Sequence, residues 1–124
     1  MFYEVSKGHN LSHDPFYSIV VPRPIGWITS INSVGEVNLA PFAFFNGCGT
    51  EPPQVLFHNS TGRDDGRMKD TISNVQETGE FVVNLVTWDL REKMNRTALH
   101  VPKHVDEMGM VGLEAEPSVL VKPP

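Results

Sequence analysis

Residues 22–46 read PRPIGWITSINSVGEVNLAPFAFFN, and the rest of the chain is organised around them. Pro22-Arg23-Pro24 fixes two φ angles and withholds two backbone donors, so it stops whatever element precedes it. In the IGWITSI that follows, Ile25, Trp27, Thr29 and Ile31 alternate with Gly26, Ile28 and Ser30. A period of two describes a strand, here with a mostly apolar face and a face of smaller or polar groups. Ser33-Val34-Gly35-Glu36 is turn chemistry, and Gly35 can supply a positive φ without steric cost. The chain then returns through Val37, Asn38 and Leu39 to Ala40-Pro41-Phe42. The simplest geometry is a β-hairpin that brings Thr29, Ser30 and Asn38 close together.

Composition bounds what such a hairpin can belong to. The chain has 124 residues, 40% hydrophobic and 20% charged, which describes one folded domain rather than a disordered segment. No apolar run reaches the ~18 residues of a spanning helix, and the N-terminus MFYEVSKGHN lacks the pattern of a signal peptide. A single cysteine, Cys48, rules out an internal disulfide framework. Together these features predict a cytoplasmic protein with no membrane partner. A formal charge of −5 without a basic cluster argues against nucleic acid. Ten glycines and ten prolines interrupt the chain often, which suits short strands and turns better than a helical bundle.

Outward from the hairpin, residues 16–21 are β-branched and apolar and predict a strand ending at Pro22. Phe42, Phe44 and Phe45 predict core, and residues 54–58 a further strand. Residues 59–66 are polar and contain glycine, so they predict a surface loop of the kind that grips ligands. Residues 69–78 predict a short helix with Asp70 or Thr71 as its cap, Ile72 and Val75 facing inward, and Gly79 ending it. The continuous apolar run at 81–86 predicts a strand buried on both faces. Asp89 and Glu92 have capping-box spacing and open a predicted helix to about Leu99, with Leu90, Met94 and Ala98 on one stripe. Residues 101–112 are irregular, with a short turn at 106–110, and 113–121 predict one more strand.

Several blocks in this order carry a family resemblance. RPIGWITS at 23–30, NLAPFAFFN at 38–46, PPQVLF at 52–57 and KDTISNVQETGEFVVN at 69–84 resemble the flavin reductase-like family, the FMN-binding split β-barrels. Weaker similarity continues through MNRTA at 94–98 to VKPP at 121–124. The resemblance implies a mainly β fold with short helices, residues 1–124 matching the first part of the barrel domain. In the family, further strands after this point complete the barrel. It also implies FMN as cofactor, NAD(P)H as co-substrate, hydride transfer to flavin N5, and a homodimer with FMN near the subunit contact. A monooxygenase or another electron acceptor would take the electrons. The cofactor carries such chemistry, so no catalytic side chain is assigned. Two other readings stand beside this one: an FMN-binding electron carrier without nicotinamide activity, and a non-catalytic truncated domain.

FMN needs oriented donors for its phosphate, a slot of apolar or small residues for its ring, and hydrogen-bonding groups along the ring edge. A helix start with free amides suits the phosphate. Lys69 and Thr71 stand at such a start, with Arg63 and Arg67 just upstream, and Lys69-Asp70-Thr71 matches the family's KDT motif. Spacing alone describes a solvated lysine beside an ordinary cap; the resemblance favours phosphate. Thr29 and Ser30, being adjacent on a strand, point to opposite faces, so one offers its side chain and the other its backbone. Asn38 can bond phosphate, ribityl or ring carbonyl, and Ala40 is small enough to admit the ring. Ala43 stands where the family often has serine, which removes a hydroxyl contact. Asn46 and the 47–50 loop complete the expected cofactor set. Trp27 reads as core or dimer contact. No metal site is expected, because Pro102 disrupts the helix that would align His100 with His104, and Cys48 lacks partners.

Overall fold

The computed structural model of the chain describes residues 2–58 and 66–124. The hairpin forms as a pair of antiparallel strands, β1 (Gly26–Ile31) and β2 (Val37–Phe42), in a register that sets Ser30 opposite Asn38 and Thr29 opposite Leu39. Asn32 ties the turn between them. Its side-chain oxygen accepts from the amides of Val34 and Glu36 at 3.1 and 2.9 Å, and its amide nitrogen donates to the Glu36 carboxylate at 2.7 Å. This is an asparagine bonded to the backbone two residues on, a device that favours turns. Gly35 takes the positive φ, at 91°.

A second hairpin follows, β3 (Phe45–Thr50) paired with β4 (Pro53–Phe57), with a bulge between Gly47 and Gly49. It forms its own two-stranded sheet, while β1 and β2 are joined by β5 (Val82–Asn84) in the order β2-β1-β5. Three rings link the two sheets: Phe42 lies 4.9 Å from Phe57, and Phe57 5.0 Å from Phe81, both edge to face. Phe42 is buried, but Phe44 and Phe45 are only half-buried. Phe44 stacks against Phe16 and lies under the Arg23 guanidinium. The ring of Phe45 approaches Gly26 so closely that a β-carbon there would lie 2.5 Å from it, so a side chain at the first residue of β1 would have to displace that ring.

The structure corrects several expectations. Residues 16–21 do not form a strand. They belong largely to a short helix, α1 (Pro15–Ile19), because the Asp14 side chain accepts from the Phe16 amide and Pro15 opens the first turn. That start signal outweighs the β-branched residues behind it. The strand expected at 81–86 shortens to β5 and is an edge strand, half-buried, with Leu85 87% exposed. Burial on both faces belongs to the central strand β1, whose residues 26–30 are all buried.

Helix α2 (Asp70–Thr78) packs on β1 and ends at Gly79 in the left-handed region, as expected. Its N-cap is Lys69, not Asp70 or Thr71, and the Lys69 side chain makes no capping bond. The residues it buries are Thr71 and Asn74, while Ile72 and Val75 are half-buried. Residues 88–90 make a 3-10 turn before α3 (Arg91–Arg96), which stops short of Leu99 and leaves Ala98 exposed. The short turn near 106–110 is α4 (Glu107–Met110). Residues 113–121 form no strand. The segment after them is anchored differently: Pro123 is fully buried, the Thr29 hydroxyl donates to the Pro124 carbonyl, and the Lys122 amide donates to Glu80.

Candidate functional site

Four of the expected cofactor residues come together at the free edge of β2. Asn38, Ala40, Lys69 and Thr71 line one cavity of about 100 Å³, walled also by Asp70, His100 and Glu107. The fold explains the meeting. Asn38 lies opposite Ser30 on the face of the sheet that α2 covers, so the first turn of α2 reaches it. The Asn38 amide and the Thr71 hydroxyl are 2.8 Å apart. Lys69, half-buried at the start of α2, holds its ammonium 5.6 Å from the centre of the Phe42 ring.

The other expected residues lie elsewhere. Ser30 is fully buried beneath α2, where its hydroxyl accepts from Asn74 at 3.2 Å. Thr29 faces the opposite side of the sheet and lines a different hollow with Trp27, Leu39 and Asn84. Its hydroxyl accepts from Asn84 at 3.3 Å. Asn46 is exposed on β3, its side chain accepting from the Gly47 amide. Arg63 lies outside the described residues. Trp27 is core: the residue is 3% exposed and its Nε1 donates to the Thr97 hydroxyl at 2.9 Å. Among the described residues no group of three or more His, Cys, Asp or Glu side chains could hold a metal. None of the described helices is long and apolar enough to cross a membrane.

One residue of the cavity carries no warning in the sequence. Glu107 is only 7% exposed, and its Oε2 accepts from the Leu39 amide at 3.3 Å, closing the outer edge of β2. With its side-chain oxygen turned toward Thr71, the orientation that pairs every group, Asn38 accepts from the Thr71 hydroxyl at 2.8 Å and from the Leu39 amide at 3.2 Å, and donates to Glu107 Oε1 at 3.3 Å. Burial pushes the Glu107 carboxyl above its ordinary 4.5, and the charges of Asp70 and Asp106 push the same way. The hydrogen bonds from its own amide and from Leu39 pull against them. Position 107 sits in an irregular stretch, and no periodicity links it to position 38.

The donors present suit an anion. The ammonium of Lys69, the hydroxyl of Thr71 and the start of α2, whose N-cap side chain makes no capping bond, converge on one cavity beside the carboxyl groups of Asp70 and Glu107. The cavity suits the tail of a flavin nucleotide and not its ring, since sites for whole ligands of that size run to about 300–1,000 Å³.

A family model, the flavin reductase like domain, matches residues 17–124. This chain belongs to that family. An uncharacterised protein of Aquifex aeolicus is 48% identical over 106 residues, covering 86% of this chain and 54% of that protein. The nitrilotriacetate monooxygenase component B of Bacillus cereus superposes with a TM-score of 0.78 at 29% identity, covering 94% of this chain and 63% of its own. The 2-nitrobenzoate 2-nitroreductase NbaA of Pseudomonas fluorescens gives a TM-score of 0.77 at 30% identity, covering 100% and 58%. The fold is the family's split barrel, mostly strands with short helices. The chain spans about half the length of the curated relatives it matches. Family membership implies a flavin as the cofactor.

Proposed function

We propose that this chain is the phosphate-gripping part of an FMN-dependent oxidoreductase that uses NAD(P)H as reductant. The observation that carries the reading is the convergence of Asn38, Lys69 and Thr71 at the start of α2 in a chain of the flavin reductase like family. Lys69 would neutralise the phosphate, and the first-turn amides of α2 and the Thr71 hydroxyl would hold its oxygens. Asn38 would fix the Thr71 hydroxyl, and Ala40 would leave room beside it. When bound, the flavin supplies the capacity to accept a hydride. The protein's part is to bind it, orient it and limit water.

The size of the cavity adds a second element. The ring has to rest on surface from outside this cavity, and we propose that residues 1–124 form part of a flavin domain that works as a homodimer. A monooxygenase component is a reasonable class of acceptor, by analogy with the component B neighbour. The test is NADH and NADPH oxidation by the purified protein with FMN added. Oxidation that rises with FMN and saturates supports the proposal. FMN binding with no nicotinamide oxidation would instead make the chain a flavin-binding electron carrier, and no FMN binding would refute both.

A further inference from the structure

One wall of the cavity is the segment that follows α3, residues 97–101, and its donors can be followed one by one. Thr97 has none to spare: its hydroxyl accepts from Trp27 Nε1 at 2.9 Å and donates to the Met94 carbonyl at 2.8 Å. Ala98, Leu99 and Val101 bring apolar side chains. That leaves His100, exposed on this wall, whose imidazole makes no hydrogen bond, ion pair or ring contact among the described residues. On the other walls Lys69 brings one positive charge, and a phosphate ester near neutral pH carries about −1.5 to −2. Lys69 alone does not balance such a group, and the carboxyl groups of Asp70 and Glu107 face the same space. Thr71 adds no charge, and its proton goes to Asn38 before any ligand arrives.

We propose that His100 is the second phosphate-binding cation of this cavity, and that its imidazole takes up a proton as the ligand binds. The inference rests on the proposed phosphate role of the cavity and adds a residue that neither the sequence motifs nor the family resemblance pointed to. A histidine side chain can change charge between about pH 5 and 8, where a lysine stays charged. A phosphate beside the imidazole favours the charged form, in which both ring nitrogens donate. The titratable groups that share the cavity with His100 are Lys69 and Asp70 from α2 and Glu107 from α4, while β2 brings only Asn38, Ala40 and Pro41. Lys69 opposes a charge on the imidazole, and the two carboxyl groups favour it. Glu107 can also take up a proton when an anion arrives, so its part has to be separated by a variant of its own.

The measurement is fluorescence titration of FMN and of riboflavin, which lacks the phosphate, from mildly acid to mildly alkaline pH, with wild type, His100→Gln and His100→Lys. At the acid end wild type should bind FMN about tenfold more tightly than His100→Gln, the worth of one hydrogen bond to a charged group. At the alkaline end the two should converge, while His100→Lys, charged throughout, should keep the tight binding. Riboflavin affinity should be the same in all three at every pH. The phosphate's own titration is common to the three proteins and cancels in these ratios. Calorimetry in two buffers of different ionisation enthalpy should show more protons taken up per FMN by wild type than by His100→Gln, and the same excess in a Glu107→Gln background. An excess that disappears with Glu107→Gln would assign the proton to Glu107 and overturn the inference. So would an FMN affinity ratio of wild type to His100→Gln that stays constant across pH, or an equal loss of FMN and riboflavin affinity in His100→Gln; these outcomes leave the phosphate reading in place. Equal affinity of wild type for the two flavins at every pH, or binding of neither, would overturn the phosphate reading itself and this inference with it.

Discussion

The β2-β1-β5 sheet and the helix α2 on it bury Thr29, Ser30, Thr71 and Asn74, which bond to one another, to Asn38 or to the chain's last residues, whereas in the β3–β4 hairpin Asn46, Gly47 and Cys48 face solvent. Both regions are small antiparallel arrangements with many polar residues. The difference lies in what covers them. The first sheet has α2 on one face and the segments around α3 and α4 at its other side and edge, so its polar groups pair inside the protein, apart from Asn74 Oδ1, which has no partner among the described residues. The second has little cover, so its polar groups are satisfied by water. The cavity of Asn38, Lys69 and Thr71 forms where the covering elements end, at the outer edge of β2, beside donors fixed by buried partners.

This contrast predicts how substitutions rank. The largest expected effect is Trp27→Ala in the covered sheet, about 3–5 kcal/mol of stability by denaturant unfolding, from the cavity created and the lost bond to Thr97. A loss under about 1 kcal/mol would mean that the sheet is less well covered than described. Asn74→Ala comes next. It leaves the buried Ser30 hydroxyl without its donor, with an expected cost of about 1–3 kcal/mol in the same assay.

A pH effect should follow, smaller in size. The folded pKa of Glu107 lies above its ordinary value of 4.5, so the folded state holds that proton more tightly than the unfolded chain does. Its contribution to stability is therefore fully present below pH 4.5 and is lost as pH rises through the raised folded value. Wild type should lose stability relative to Glu107→Gln as pH rises through that window; a constant difference across pH would contradict the buried carboxylate. Cys48→Ser, on the exposed hairpin, should change stability by less than about 0.5 kcal/mol. A larger change would show that the hairpin is covered by something in solution.

The central hairpin was legible because its alternation, its turn glycine and its flanking prolines all point the same way, and β1 and β2 lie where that reading put them. The position of α2 and its stop at Gly79 were legible for the same reason. The strand expected at 16–21 failed because Asp14-Pro15 is a strong helix start, and local capping outweighed the propensity of the residues that follow. The burial expected of 81–86 failed for another reason. An apolar run shows that a strand can be buried, but sheet order decides which strand is central, and that order depends on long-range pairing.

The site divides in the same way. Lys69 and Thr71 stand in a motif, and Asn38 is linked to them through the register of the hairpin. Thr29 and Ser30 stand adjacent on the strand, one expected to offer its side chain and the other its backbone, yet both are buried and neither lines that cavity. Glu107 was not legible, since only the packing of a four-residue helix against an open strand edge gives it a role.

The most direct test of the account compares FMN with riboflavin binding to wild type and to Lys69→Ala by fluorescence titration, with circular dichroism to confirm that the fold is kept. The account predicts that wild type prefers FMN over riboflavin by at least about tenfold, and that Lys69→Ala removes most of that preference while leaving riboflavin affinity alone. Equal affinity of wild type for the two flavins, or a preference unchanged by Lys69→Ala, would contradict it.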